Sequence, residues 1–175
     1  YTYRLSPEEY GVISLIFVFI AFLNIIFAHG MDISFMRFQT LEKMQMDKKT
    51  IFSTSFIWIF FSTVLFASIL YLFQEGIAVY TVGGQYLELI QLSIAILVFD
   101  TLIILPKVLF RLENKPYRFI YLELMHVIII LGLNIWWIGF LQLDIRYIFI
   151  SNLIASGLSF LFVLPKIIQS IDLCF

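Results

Sequence analysis

The sequence predicts an all-α fold: a polytopic membrane helix bundle with five transmembrane helices. Composition is the first reason. Of 175 residues, 62% are hydrophobic and 13% charged, against roughly 45–50% and about 25% in a soluble domain. The second is pattern: five apolar runs, each near or above the ~20 residues that cross ~30 Å of hydrocarbon, alternate with short polar connections. The third is charge, because the basic residues gather in alternate connections. With no water in a bilayer to satisfy backbone groups, runs of this length must be helical.

The first run, Tyr10–Met31, contains no Asp, Glu, Lys or Arg. Ser6-Pro7-Glu8-Glu9 ahead of it is a helix start, with Ser as N-cap, Pro in the first turn and acids at the positive end of the dipole. A helix is expected over residues 9–38. Thr50–Gln74 is equally free of charge and predicts a helix over 50–74. The third run, Leu87–Phe110, carries Asp100, Pro106 and Lys107 and predicts a helix over 87–111. The fourth, Phe119–Leu143, carries Glu123 and His126 and predicts 116–143. The last, Tyr147–Pro165, is clean and predicts 146–168. The stretches Met31–Thr50 and Pro106–Arg118 are helix-compatible and are expected to extend the helices beyond the membrane. Glu75–Tyr86 reads as a loop that turns at Gly83-Gly84.

Orientation follows from the basic residues. Arg37, Lys43, Lys48 and Lys49 lie between the first two runs, and Lys107, Arg111, Lys115 and Arg118 between the third and fourth. The connection between runs two and three has no Lys or Arg, and that between four and five has only Arg146. The positive-inside rule places the first two groups in the cytoplasm, so the N-terminus is outside and the C-terminus inside. An outside N-terminus, a start at Tyr1 without Met, and the ending Ile-Asp-Leu-Cys-Phe read as an internal piece of a longer protein.

The polar residues inside the runs are the candidates for function. Asp100 costs roughly 2.5–3.5 kcal/mol to place mid-membrane and therefore faces protein or a water-filled path. At 100° per residue, Lys107 and Arg111 each lie within ~20° of it, making one polar face. Asp100 is open to three readings: a proton or sodium coupling site, a partner positioning an arginine such as Arg37, or a structural interhelical hydrogen bond. Glu123, His126 and Asn134 share a second face. Asp32, five residues before Arg37, closes the first run, and His29 is read as a hydrogen-bonded interfacial histidine. Asn24 and Asn152 are read as interhelical hydrogen-bonding residues. Gly157 with Ser156 and Ser159, and Gly132 with Gly139, are read as close-packing contacts, and Trp136 and Trp137 as interfacial anchors.

Several classes are disfavoured. A net charge of −1 gives no nucleic-acid signal, and the single Cys174 gives no disulfide framework. No metal-ligand spacing or glycine-rich phosphate loop appears, so no metal or cofactor is expected.

Some of these residues also carry a resemblance. Glu9-Tyr10-Gly11, then Gly30-Met31-Asp32 followed by Phe35, Arg37 and Phe38, resembles the second transmembrane helix of bacterial O-antigen and polysaccharide flippases. Asp100, Pro106, Arg111-Leu-Glu-Asn-Lys-Pro and Arg118-Phe119 resemble the junction of their fourth and fifth helices. Asn134 after Gly132-Leu133, and Leu164-Pro165, match as well. These flippases belong to the multidrug/oligosaccharidyl-lipid/polysaccharide exporter superfamily. The resemblance implies that the five runs are helices two to six, most of one six-helix lobe, with the C-terminal lobe missing from residues 1–175. It implies a flippase of the bacterial inner membrane that moves a lipid-linked oligosaccharide for surface polysaccharide biosynthesis. It implies that membrane lipids surround the protein and that an H+ or Na+ gradient drives it. It also implies that Arg37, Arg111 and Asn134 meet the polyprenyl diphosphate substrate, and that Asp32, Asp100, Glu123 and His126 act in coupling or charge pairing. Where relatives often carry Lys early in the fifth helix, this chain has Glu123. The alternatives are a multidrug or cation antiporter of the same superfamily, an integral-membrane glycosyltransferase and a non-transporting scaffold.

Overall fold

The structure, a computed structural model, describes residues 6–40, 48–84, 86–113, 116–141 and 143–171. Lys43, Lys115 and Cys174 lie outside them. Every regular element among the described residues is a helix: α1 (Pro7–Ala28), α2 (Met31–Thr40), α3 (Lys48–Leu72), α4 (Gln74–Val82), α5 (Leu87–Leu112), α6 (Pro116–Asn134) with a π-helical continuation (Ile135–Phe140), and α7 (Arg146–Ser170). Five helical stretches are long and apolar enough to cross a membrane. This is a multi-pass membrane protein.

The start of α1 forms as its sequence dictates. Glu9 N–H donates to Ser6 Oγ (3.2 Å) and Ser6 N–H donates to the Glu9 carboxylate (2.8 Å), a reciprocal capping box. The helix expected over 9–38 is broken, however, at His29-Gly30. His29 caps α1 in the left-handed conformation (φ 33°) and Gly30 follows at φ 72°. Glycine has no Cβ to oppose that backbone, so α1 ends here and the chain restarts as α2. Asp32 in the first turn of α2 and Arg37 in its last both suit the helix dipole. Phe35 then packs edge-on against Phe52 (centroids 5.8 Å), tying α2 to α3.

A second difference lies at Glu75–Tyr86. Gly83 and Gly84 do turn the chain, at φ 72° and 79°, but Gln74–Val82 is helical rather than a loop. Ala78 is buried with Ile90 and Ile94 of α5. That burial supports a helix of nine residues that is too short, and too rich in Gly and β-branched residues, to be recognised from its composition. A third difference is at the end of α6. Leu141 N–H donates to the carbonyl of Trp136 five residues back (3.2 Å), so the helix widens into a π-turn. Trp137 meets Tyr147 edge-on (centroids 5.3 Å) while Trp136 stays exposed.

The fold is organised around α5, which packs against each of the other α-helices. Its apolar residues are buried on all sides, as expected of a central helix. Towards one pole Ile96, Leu97, Ile16 and Phe149 form the core. Towards the other, Ile103, Leu105, Phe52, Val163 and Ile167 do. The outer faces of α1, α3 and α6 expose Val18, Phe22, Phe61, Leu65, Ile128 and Leu131, an apolar surface suited to lipid.

Candidate functional site: a polar seam between α5, α6 and α7

Among the described residues the most extensive helix pairing is α5 with α7, followed by α6 with α7. It is possible because the buried face of α7 is built from small residues. Ser151, Ala155 and Ser159 recur every fourth position, with Ser156 beside them, and all are 0–1% exposed. Small residues at this spacing let helix backbones approach within the membrane. Gly132 and Gly157 do not serve that role, for a Cβ at either would meet nothing within 4 Å.

Along this contact the intramembrane polar residues find their partners. Ser151 Oγ donates to Asn134 Oδ1 (2.7 Å). Ser156 Oγ donates to Asp100 Oδ1 (2.6 Å), and His126 Nδ1 lies 3.3 Å from Ser159 Oγ. Lys107 Nζ pairs with Glu123 Oε1 at 2.7 Å. Lys166 Nζ pairs with Glu113 Oε1 at 2.5 Å just past the end of α5. At the opposite pole Arg146 pairs with Glu88 at 2.6 Å. From Arg146 to Lys166 this seam runs over roughly 30 Å of helix axis. Lys107, Glu123 and His126 all lie near enough to act electrostatically on Asp100.

The two polar faces expected from helical spacing are thus both present, and they face each other and α7. Of the three readings of Asp100, the interhelical hydrogen bond is present, from Ser156 of α7, while Arg37, the suggested charge partner, is exposed on α2. Fitting Asp100 into a tight contact between three helices favours a short hydroxyl over a bulky guanidinium. Arg111 is exposed and stacks on Phe119, its Cζ 4.7 Å from the ring centroid. Asn134, expected to meet substrate, is buried against α7. Its carbonyl is committed to Ser151, which places it in helix packing; among the described residues no such bond is seen at Asn24 or Asn152. Asp32 is half-buried in the first turn of α2. His29 is hydrogen-bonded as expected: Trp58 Nε1 donates to its Nε2 (3.0 Å) while its Nδ1 lies 2.8 Å from Phe27 O. No three His, Cys, Asp or Glu side chains among the described residues are placed to hold a metal.

Three groups of this seam were not singled out from sequence: Glu113, Lys166 and Ser151. A signal existed for two of them. Leu-Pro-Lys occurs twice, at Leu105-Pro106-Lys107 and Leu164-Pro165-Lys166, and each lysine pairs with a glutamate on another element. Ser151-x-x-x-Ala155-x-x-x-Ser159 is the other missed pattern.

The helix order, the seam and the lipid-suited exterior acquire a context from the family that the chain matches. Residues 4–174 match the family described as polysaccharide biosynthesis protein. The chain belongs to that family. Searches of curated proteins and of solved structures give no match. In this polysaccharide biosynthesis protein Asp100, Lys107 and Glu123 lie between helices, and the exposed Arg37 and Arg111 lie outside that seam.

Proposed function

We propose that this polysaccharide biosynthesis protein is a flippase, carrying a lipid-linked oligosaccharide from the inner to the outer leaflet of the bacterial cytoplasmic membrane. Membership of the family over nearly the whole chain, on a five-span helical fold, is the observation that carries this reading. The lobe would rock as a unit against a second lobe facing it, and the seam between α5, α6 and α7 supports that motion by fixing those helices to one another. Arg37 and Arg111, exposed on the lobe, offer guanidinium groups suited to the diphosphate. An H+ or Na+ gradient would supply the energy, with Asp100 as the candidate coupling carboxylate. The basic pole would face the cytoplasm, where the lipid-linked substrate is assembled.

The test uses the full-length protein in a polysaccharide-producing host. Deletion is expected to abolish surface polymer and to accumulate lipid-linked oligosaccharide on the cytoplasmic side. Complementation with Arg37→Ala/Arg111→Ala should restore less polymer than the native chain. Intact surface polymer combined with raised sensitivity to cationic drugs would replace this reading with the antiporter.

A further inference from the structure

By length and hydropathy α1 and α2 make one 34-residue apolar stretch, Pro7–Thr40, yet the backbone breaks inside it at His29-Gly30. The two sides of the break are held differently. Ile16, Ile20 and Leu23 of α1 share a core with Leu89, Ile96 and Leu97 of α5. The far end of α2 is fixed to α3, by Phe35 on Phe52 and by Gln39 Nε2, which donates to the Lys48 carbonyl (2.8 Å). At the break itself the polar tie to α3 is the bond between Trp58 and His29, with Phe66 edge-on to the imidazole (centroids 6.4 Å). The chemistry of that tie fixes the charge on the ring. An indole N–H can only donate, so Nε2, which accepts from Trp58 Nε1 at 3.0 Å, is the unprotonated nitrogen. A backbone carbonyl can only accept, so Nδ1, 2.8 Å from Phe27 O, carries the one ring proton.

A second proton would have to enter at Nε2, where it would meet the indole N–H head-on. Two donors cannot share one bond, so a charged His29 and the tie to Trp58 exclude each other. We propose that His29 and Trp58 form a proton-sensitive latch across the break between α1 and α2, closed with a neutral ring and open with a charged one. His29 is exposed, so a proton reaches it without crossing the core. On α2, Asp32 follows it by three residues and Arg37 by eight. On α3 the segment from Trp58 to Phe66 has no charged residue, and Lys48 and Lys49 lie roughly 15 Å along the axis from Trp58. On α5, Glu88, Asp100 and Lys107 are held by Arg146, Ser156 and Glu123, and Arg111 stacks on Phe119. On α7, which meets α1 through Phe149 on Phe17, Arg146 and Lys166 are ion-paired; α4 brings Glu75 and Tyr80 from beyond the end of α3. The latch does not depend on the transport reading or on a role for Asp100.

Amide hydrogen exchange of the full-length protein in phosphatidylcholine nanodiscs tests this, read over residues 28–34 and divided by the intrinsic rates. The measurement compares about pH 8 with about pH 5, the range in which imidazoles ordinarily titrate. The native protein is expected to exchange roughly 3- to 10-fold faster in this segment at the lower pH, the loss of one hydrogen bond. Trp58→Phe keeps a ring and removes the N–H, so it should exchange that fast already at the higher pH and respond no further. His29→Asn suits the left-handed backbone and cannot be charged, so its exchange should not depend on pH. Equal exchange of the native segment at both pH values overturns the proposal, as does a pH response that survives in His29→Asn or an unaltered rate in a folded Trp58→Phe. Exchange within α5 reports whether each variant is folded. Should Trp58→Phe fail there, the native protein read against His29→Asn decides the question.

Discussion

A carboxylate inside a membrane lobe is tolerable only when its oxygens are satisfied, and the Asp100 side chain accepts its bond from Ser156. The two ends of that bond are not equivalent. Ser156→Ala leaves a desolvated carboxylate without this donor, and the loss expected is about 1–3 kcal/mol. Asp100→Asn keeps an oxygen for the serine hydroxyl and removes the charge, so its effect on stability should stay within ~1 kcal/mol. Thermal unfolding of both variants in detergent checks the asymmetry; equal losses would mean that Asp100 is held by something other than Ser156. Transport by the stable Asp100→Asn protein then reports whether the charge itself is used. Helical spacing placed Asp100 and Lys107 on one face and Glu123, His126 and Asn134 on another, because the 100° step is fixed by backbone geometry. Partner identity was not legible in the same way. Pairing Asp100 with Ser156 requires knowing how α5 and α7 are rotated against each other, and the uncharged α7 run displays no charge that would betray its buried side.

The α5–α7 contact depends on side-chain size, and two neighbouring positions on α7 separate the ways of reading it. Ala155 is fully buried, whereas a Cβ at Gly157 would meet open space. Ala155→Leu is therefore expected to overpack the contact and cost about 1–3 kcal/mol or more. Gly157→Ala should be neutral or slightly stabilising, by up to ~1 kcal/mol, since alanine is the better helix former. Denaturation midpoints of the two variants in the same detergent are the measurement, and a larger loss at Gly157 would contradict the packing described. The long apolar spans were legible in the sequence because length and hydropathy alone demand membrane helices. The His29-Gly30 break, helix α4 and the π-turn after Asn134 were not, since each depends on a local dihedral or on burial by a distant segment. Ala78 illustrates the second cause: nothing in Gln74–Val82 announces a helix until Ile90 and Ile94 cover it.

At the scale of the whole molecule, the alternation of helix direction brings Lys48, Lys49 and Lys166 to one pole. Glu9, Glu88, Asp144 and Arg146 gather at the other. The proposed orientation, basic pole to the cytoplasm, predicts that a membrane-impermeant maleimide applied to intact cells labels Glu75→Cys and leaves Arg118→Cys unlabelled, in a background carrying Cys174→Ser. The reverse pattern would invert the topology. The seam has one more consequence, and it concerns timing. Helix α5 reaches the membrane carrying Glu88, Asp100 and Lys107, with Glu113 at its end, and their partners Arg146, Ser156, Glu123 and Lys166 all lie later in the chain. Until α6 and α7 emerge from synthesis, the helix at the centre of the fold is the one least able to stand alone in lipid. Its earlier neighbours can settle first, and Asp100 gains its hydrogen-bond donor only when α7 arrives with Ser156.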